Sequence, residues 1–442
     1  MMYDVALVKY RKPYESLKQA VELCGGIGDI HPGSKVFIKP NIVLWHEGVN
    51  FPKYGVITTS RLIEDMVRLL NEHGVTDISI IEGMVEVKSN AKKSFFQIAA
   101  KGLGLELLKK RYGVKIIDAL KGSFTKSQLD GKKISVNTDI LQADYVINMP
   151  VMKTHVQAVV SLGIKNLKGL LNTPSRKAFH NSEQVMDLHY HLSKLPGLIP
   201  TFITVIDGIY SLEMGPLYTG QAHRLNLIIA SKDLISADKV GASILGFDPK
   251  DVPHINLVSK NHGRKIDLSD VNLLGKVDID KVRIPHQWAF EQNESGAMPM
   301  LFENAGVKGI RFIGMDKTLC TYCTHFINYV VMGILTAKNE NKTFDDVEIL
   351  YGKMQEPTPG CKHTILVSEC QIKMHSNHPA INHCIKITGC PPKKDDFIRA
   401  FEEAGIEVLD GFMDWMEKAP EQVHLKRYKD NPEFDDSFFQ IS

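Results

Sequence analysis

The sequence predicts an α/β protein with a doubly wound, mostly parallel sheet, followed by a smaller α+β cysteine-rich domain. Short apolar runs alternate with amphipathic helical stretches up to about residue 270, which is typical of a parallel sheet covered by helices. Six of the 7 cysteines then lie between Cys320 and Cys390. We therefore expect an α/β domain over residues 1–285, a linker over 286–313, a cysteine module over 314–410 and a tail over 411–442.

The length and composition indicate a multidomain protein with no general affinity for polyanions. A chain of 442 residues exceeds what one core usually holds, so two or three domains are expected. The formal net charge of +2 provides no attraction for nucleic acid or a membrane surface. No apolar run reaches the length of a membrane span, and the N-terminus lacks the pattern of a signal peptide. We therefore expect a cytoplasmic protein with neither a nucleic-acid nor a membrane partner.

The elements of the first domain follow from apolar periodicity and from turn residues. Apolar runs predict strands at residues 5–10, 35–38, 77–81, 114–118, 145–149, 202–206 and 224–230. Helical spacing predicts helices at residues 14–23, 61–72, 91–108, 157–171, 181–193 and 234–245. The dipeptide Asp130-Gly131 predicts a hairpin over residues 128–136. In the cysteine module we expect strands at 364–367 and 385–388, a helix after Cys323 and another at 394–404.

Polar side chains follow four of the predicted strands at the point where each strand ends. The carboxyl ends of parallel strands share one edge of a sheet, and ligands of open α/β sheets bind outside that edge. The groups expected there are Lys39, Asn41, Glu82, Lys153, His155 and Asp207. The run at 145–149 matters most, because it ends in Pro150 and is followed at once by Lys153, Thr154 and His155.

A second group of basic residues lies just beyond this run. Lys165 and Lys168 are three residues apart and share one face of the predicted helix, so they form either an anion pocket or a solvated surface. Asp238 lies in a helix that otherwise looks buried, and a lysine is a candidate partner for its carboxylate. We predict catalytic roles for His155, Lys153 and Asp207, with His155 as the proton donor, and substrate binding by Lys39, Asn41, Thr154, Lys165, Asn166 and Lys168.

The cysteines of the second module are placed as metal ligands. Cys320 and Cys323 form a C-x-x-C pair, Cys370 follows a predicted strand, and Cys390 stands in the run Thr-Gly-Cys-Pro-Pro. Four such thiolates suit a [4Fe–4S] cluster or a structural zinc ion. Zinc ribbons usually show two C-x-x-C pairs, whereas this chain has one, which favours iron–sulfur. Cys361 and Cys384 are the alternative ligands.

Several of these segments resemble the domain-of-unknown-function 362 family. The resemblance covers residues 35–260 and rests on segments 36–41, 143–150, 153–155, 163–169, 206–208, 215–216 and 230–238. The Cys320–Cys323 pair and the Gly-Cys-Pro-Pro run at 389–392 resemble an iron–sulfur extension that some members carry. Many relatives carry a ferredoxin-type pair of clusters instead, and this chain lacks that spacing. The resemblance implies a fold and a cluster but no substrate.

These observations lead to three functional hypotheses. The first is an iron–sulfur redox protein, such as an oxidoreductase, that reduces or otherwise transforms a small anionic substrate at the carboxyl edge of the sheet. An electron-donor protein would then be a possible partner. The second is a carrier or maturation protein that holds a cluster, metal or sulfur without turnover. The third is a binding module in which zinc only stabilises the fold.

Overall fold

A computed structural model describes residues 1–45, 50–84, 94–314 and 316–441. The chain divides into two compact units. Unit 1 comprises Met1–Phe179, Val185–Trp288 and Pro420–Ser442, and unit 2 comprises His180–Gln184 and Ala289–Ala419. None of the helices within the described residues is long and apolar enough to cross a membrane.

The strands and helices of unit 1 alternate over most of its length. The strands are β1 Tyr3–Lys9, β2 Lys35–Pro40, β3 Asp77–Glu82, β4 Lys115–Asp118, β5 Phe124–Leu129, β6 Lys132–Asn137, β7 Tyr145–Met149, β8 Val151–His155, β9 Val159–Ser161, β10 Ile203–Glu213, β11 Gln221–Ser231 and β12 Val271–Leu274. The helices are α1 Glu15–Leu23, α2 Ser60–Glu72, α3 Phe95–Gly102, α4 Leu105–Tyr112, α5 Thr138–Leu141, α6 Gly163–Asn166, α7 Thr173–Ala178, α8 Leu188–Leu198, α9 Leu234–Ile244, α10 Pro253–Asn261 and α11 Ile279–Val282.

Ten of the described strands of unit 1 form one mostly parallel sheet, and β5 and β6 form a separate two-stranded sheet. The order of the larger sheet is β12-β1-β11-β10-β7-β2-β3-β4, and β8 and β9 extend it beside β10. The antiparallel pairs are β1 with β11, β10 with β11, and β8 with β9. Both faces are buried: Val5 and Leu7 pack into one apolar cluster, while Ala6 and Val8 pack into the other. The predicted doubly wound α/β architecture is therefore confirmed for this unit.

Three local predictions in unit 1 have different outcomes. The hairpin is confirmed, since β5 and β6 pair around Asp130 and Gly131, both of which have positive φ. The helix predicted over 157–171 is wrong, because this segment contains β9, the short helix α6 and a 3₁₀ turn. Of the helix predicted over 91–108, residues 91–93 lie outside the described residues, and the rest forms α3 and α4.

Unit 2 is built on a four-stranded parallel sheet. Its strands are β13 Lys308–Arg311, β14 Thr343–Leu350, β15 His363–Val367 and β16 Cys384–Ile387, and they lie in that order. Its helices are α12 Met300–Asn304, α13 Thr321–Leu335, α14 Ser368–His375, α15 Asp395–Glu403 and α16 Phe412–Ala419. All three strand pairings are parallel, with α13 and α14 as crossovers, so this unit is α/β and the predicted α+β arrangement is wrong.

The predicted linker and tail both contribute to packed units. Residues 286–313 include α12 and β13, and Phe302 and Ile310 are buried in the core of unit 2. The tail divides at residue 419: Phe412 packs into unit 2, whereas Tyr428 and Phe439 pack into unit 1. Scattered aromatic residues in a polar sequence gave no periodic signal, which is why the sequence did not predict these contacts.

Candidate functional site

The carboxyl ends of β7, β2 and β3 lie next to one another in the sheet of unit 1. Lys39 is level with Asn148 of β7, and Ile38 is level with Ile80 of β3, two residues before Glu82. The ladder of β2 ends at Pro40, which has no amide hydrogen to donate. Lys39, Asn148 and Glu82 are therefore brought to one edge, as the alternation of strands and helices predicts.

Lys39 and Glu82 form a buried ion pair at this edge. Lys39 is 1% and Glu82 2% exposed, and the lysine Nζ lies 3.0 Å from the carboxylate. The carboxylate also accepts hydrogen bonds from the amides of Ile42 (2.9 Å) and Gly83 (2.8 Å). Gly169 packs directly on the pair, because a Cβ at this position would lie 2.9 Å from both charged groups. The ion pair thus has the close packing and additional hydrogen bonds that a buried pair requires.

Asn166 joins this ion pair to Asn41 and to the central strand. Its Oδ1 accepts hydrogen bonds from Lys39 Nζ (2.8 Å) and Asn41 Nδ2 (3.1 Å). Its Nδ2 donates to Asn148 Oδ1 (2.8 Å) and to the Lys39 carbonyl (3.2 Å). Both ends of the amide are fully used, so Asn166 holds a fixed orientation between β2 and β7.

Lys153 extends the network and lacks an acidic partner. Its side chain is buried, and Nζ donates to Asn41 Oδ1 (2.7 Å) and to the Val56 carbonyl (2.6 Å). Within the described ranges, Lys153 forms no ion pair. Burial, together with the charge of Lys165, holds the pKa of Lys153 well below its usual value. A neutral amine has two hydrogens to donate, and these two hydrogen bonds use both. The lone pair of such an amine stays available.

Lys165 on α6 is the second lysine of the site without a carboxylate. Its side chain is partly exposed, and it has no hydrogen-bond or ion-pair partner among residues 1–45, 50–84, 94–314 and 316–441. Burial and the nearby charge of Lys39 lower the pKa of Lys165 to about 7. We call Lys39, Lys153 and Lys165 the lysine cluster. Glu82 is the carboxylate that pairs with a member of this cluster in the described part of the chain.

Asp238 accepts hydrogen bonds from the start of α6 and does not pair with a lysine. Its Oδ1 accepts from the amide of Gly163 (2.7 Å) and its Oδ2 from the amide of Ile164 (2.8 Å). The predicted lysine partner is therefore wrong: the partner is the first turn of α6. Burial raises the pKa of Asp238 to about 7. Asp238 fixes the helix that carries Lys165 and Asn166.

Other predicted site residues have different contacts. Lys153, Thr154 and His155 lie in β8, beside β10, and not in a loop. Thr154 Oγ1 accepts from the amide of Gly215 (3.0 Å) and donates to the Leu212 carbonyl (3.3 Å). Asp207 accepts from the amides of Thr59 (2.7 Å) and Ile209 (3.0 Å), and burial raises its pKa. The side chains of Thr154 and Asp207 therefore form hydrogen bonds with backbone groups.

His155 and Lys168 complete the predicted set. His155 ends β8 and is 8% exposed, and its Nδ1 accepts from the amide of Gln157 (3.1 Å), which leaves the hydrogen of a neutral ring on Nε2. Lys168 Nζ lies 5.9 Å from the ring centroid of Phe179. Asn148 was missed by the sequence analysis, although a polar residue inside the apolar run of a central strand is a usable signal.

In unit 2, the four cysteines predicted as ligands come together. Cys320 and Cys323 are in mutual hydrogen-bond contact, and this contact, followed by burial, raises the pKa of the Cys323 thiol. The charge of Cys370 also raises the pKa of Cys323. Burial raises the pKa of Cys370, and the charges of Cys320 and Cys390 raise it further. Ser368, with φ of 72°, contacts both Cys323 and Cys370. Non-glycine residues at such φ are rare and recur at functional sites.

The topology explains why the two alternative cysteines lie apart from this group. Cys370 and Cys390 follow the carboxyl ends of the adjacent strands β15 and β16. Cys384 begins β16, and Cys361 precedes β15, so both stand at the opposite ends of these strands. The charged groups that act on Cys361 are Glu348, Arg311 and Asp346, and those on Cys384 are Lys386 and Glu403. The described cysteines thus form one group of four.

Known proteins resemble the chain over about half of its length. The family model described as "Domain of unknown function (DUF362)" matches residues 36–243, which confirms the resemblance seen in the sequence for this region. The thylakoid-associated protein sll1697 of Synechocystis sp. is 26% identical over 244 residues, covering 54% of this chain and 71% of that protein. The structure of the lactate racemase apoprotein from Thermoanaerobacterium thermosaccharolyticum aligns with a TM-score of 0.33 and 13% identity over 55% of this chain; the alignment spans 57% of that racemase.

The lowered pKa of Lys165 predicts unusual reactivity. At pH 7.5 most of a lysine with a pKa of about 7 is neutral, whereas an ordinary lysine is about 0.1% neutral. Brief labelling with limiting acetic anhydride should therefore modify Lys165 at least about tenfold faster than the exposed Lys260, as read by peptide mass spectrometry. Unfolded protein is the control, because the two rates should become equal. Equal rates in the folded protein would contradict the assignment.

Proposed function

We propose that the protein is an iron–sulfur redox protein that binds a small anionic substrate at the lysine cluster. The observation that carries the proposal is the convergence of Cys320, Cys323, Cys370 and Cys390 in a chain that also has two lysines without acidic partners, the buried Lys153 and the partly exposed Lys165. The cysteines supply the site of a redox cofactor, and the lysines supply the site of an anion.

The donor set fits a [4Fe–4S] cluster better than zinc. All four ligands are thiols, and they come from two helices and a turn. Four sulfurs around one zinc ion are about 3.8 Å apart, because each Zn–S bond is about 2.3 Å. Among the described residues, no three cysteine sulfurs lie within 4.8 Å of one another. Cys320 and Cys323 are in contact, but no third described sulfur lies that close to both, so the described sulfurs are not arranged around one small ion. When bound, such a cluster would exchange single electrons with a partner or substrate.

The lysine cluster is the reason for proposing an anionic substrate. Lys153 and Lys165 lose hydration on folding and gain no carboxylate in the described part of the chain, so their charged forms are unfavourable. A bound carboxylate or phosphate would supply the missing negative charge and raise both pKa values. Binding would therefore take up a proton wherever Lys165 is neutral beforehand, and anion affinity should fall as the pH rises above about 7.

The remaining polar groups have separate roles in this proposal. His155 is the candidate proton donor, through Nε2, and Lys153 contacts the substrate. Asp207 is a positioning residue: it binds the amide of Thr59, next to Thr58, whose hydroxyl accepts a hydrogen bond from the amide of Asn41 (2.9 Å). The side chain of Asn41 in turn holds Lys153. Asp207 thus acts on Lys153 through the start of α2.

The cluster assignment predicts which cysteines matter. Protein purified without oxygen should contain about four iron and four sulfide per chain, as expected for a [4Fe–4S] cluster. Serine at Cys320, Cys323, Cys370 or Cys390 should remove most of both, whereas Cys361→Ser and Cys384→Ser should retain them. Iron, sulfide and zinc are measured on the same samples. Colourless protein with one zinc ion bound to thiolates would contradict the proposal and favour the stabilised binding module.

A second experiment separates an enzyme from a carrier. The dithionite-reduced protein is mixed with a panel of small carboxylates and phosphate esters, and reoxidation is followed by absorbance. An anion that oxidises the wild type should react roughly ten- to a hundredfold more slowly with Lys153→Met, since one hydrogen bond to a charge is lost. The iron content should not change, and Lys260→Met is the control. Transfer of the intact cluster to an apo-acceptor, with no anion reacting, would instead favour the carrier.

A further inference from the structure

Unit 2 contains a second group of potential metal ligands, separate from the cysteines. His375 is the last residue of α14, His378 follows three residues later, and Glu356 lies in the segment between β14 and β15. One ligand atom from each of these side chains lies within 4.8 Å of the other two. Among the described residues, this is the one group of three histidine, cysteine or acidic side chains that meets this distance.

His375 is a buried residue whose ring makes no hydrogen bond in the described structure. The His375 side chain is 5% exposed, and neither of its ring nitrogens has a hydrogen-bond partner in the described structure. Leaving a buried polar group unsatisfied costs on the order of 1–3 kcal/mol. Its Nδ1 faces Glu356 Oε2 at 3.6 Å, which is too long for a hydrogen bond. A buried histidine that faces a carboxylate without a hydrogen bond to it requires an explanation.

The same distance fits two ligands of one metal ion. Bonds of about 2.0–2.1 Å to nitrogen and oxygen in a tetrahedral site place neighbouring ligand atoms about 3.4 Å apart. The observed 3.6 Å between His375 Nδ1 and Glu356 Oε2 is close to that value. His378 Nδ1 accepts a long hydrogen bond of 3.3 Å from the Ala380 amide, and this ring is partly exposed, so it can rotate to ligate.

We propose that Glu356, His375 and His378 bind one divalent metal ion of the zinc class. Two imidazoles and one carboxylate are typical ligands of zinc, whereas calcium and magnesium prefer oxygen alone. Because Glu356 is 66% exposed, a water molecule can complete the coordination. The ion would attach the segment after β14 to α14. These two elements are already joined by a hydrogen bond from Gln371 Nε2 to the Gln355 carbonyl (3.1 Å).

The location gives the ion a structural role. α14 carries Cys370 in its first turn and His375 at its last residue. Fixing the end of α14 therefore also restrains the helix that presents Cys370. The metal site does not depend on the anion site or on the identity of the group held by the cysteines.

Zinc binding to the full-length protein tests the inference. Anaerobically purified protein is washed with a chelator and then titrated with Zn²⁺ by equilibrium dialysis. Wild type should bind one more zinc ion per chain than Glu356→Gln or His378→Gln. Glu356 is exposed, so its replacement should leave the fold intact, which thermal unfolding checks. His383→Gln is the matched control, since its imidazole also lies beside a glutamate, with Nε2 3.2 Å from Glu403 Oε1.

X-ray absorption identifies the ligands of the additional zinc ion. The difference between wild-type and Glu356→Gln spectra should show nitrogen and oxygen neighbours and no sulfur. The inference is overturned if wild type and Glu356→Gln bind equal amounts of zinc, if only His383→Gln loses zinc, or if the difference spectrum contains sulfur. None of these results bears on the cysteine cluster, which is assayed by iron and sulfide.

Discussion

The buried Lys39–Glu82 ion pair is the interaction on which the site in unit 1 depends. It joins the ends of β2 and β3, and Asn166 connects it to β7 and to Asn41. Removing one partner of such a pair usually costs about 3–5 kcal/mol, because the remaining charge is buried without compensation. The same pair limits the electrostatics of its surroundings. Glu82 is already used by Lys39, so Lys153 and Lys165 remain without acidic partners in the described part of the chain.

The position of this site could be predicted from the sequence because parallel strands place their carboxyl ends together. Lys39, Asn41 and Lys153 were named on that basis and Asn166 from the segment 163–169, and hydrogen bonds link all four in the structure. The partners of buried carboxylates could not be predicted. Asp207 and Asp238 both accept hydrogen bonds from backbone amides. Almost every residue has such an amide, so no sequence pattern identifies the donor. A lysine partner was the natural expectation for Asp238, and it was wrong.

For the cysteine group, too, some features could be predicted from the sequence and others could not. The sequence selected Cys320, Cys323, Cys370 and Cys390, and the strand ends explain why these four meet while Cys361 and Cys384 lie apart. The parallel sheet of unit 2 was not predicted, since its strands are short and no clear alternation precedes β13. Spatial neighbours such as Glu356 and His375 are 19 residues apart, and no motif in the sequence connects them.

The central claim is that Lys165 is neutral near pH 8 and becomes charged when an anion binds. Calorimetry with sulfate, in two buffers of different ionisation enthalpy at pH 8, measures the protons taken up on binding. Sulfate does not titrate in this range, so uptake reports on the protein. With a pKa of about 7, Lys165 should take up close to one proton, so Lys165→Met should take up about one proton fewer than the wild type. Sulfate binding without proton uptake, or equal binding by Lys165→Met, would contradict the account.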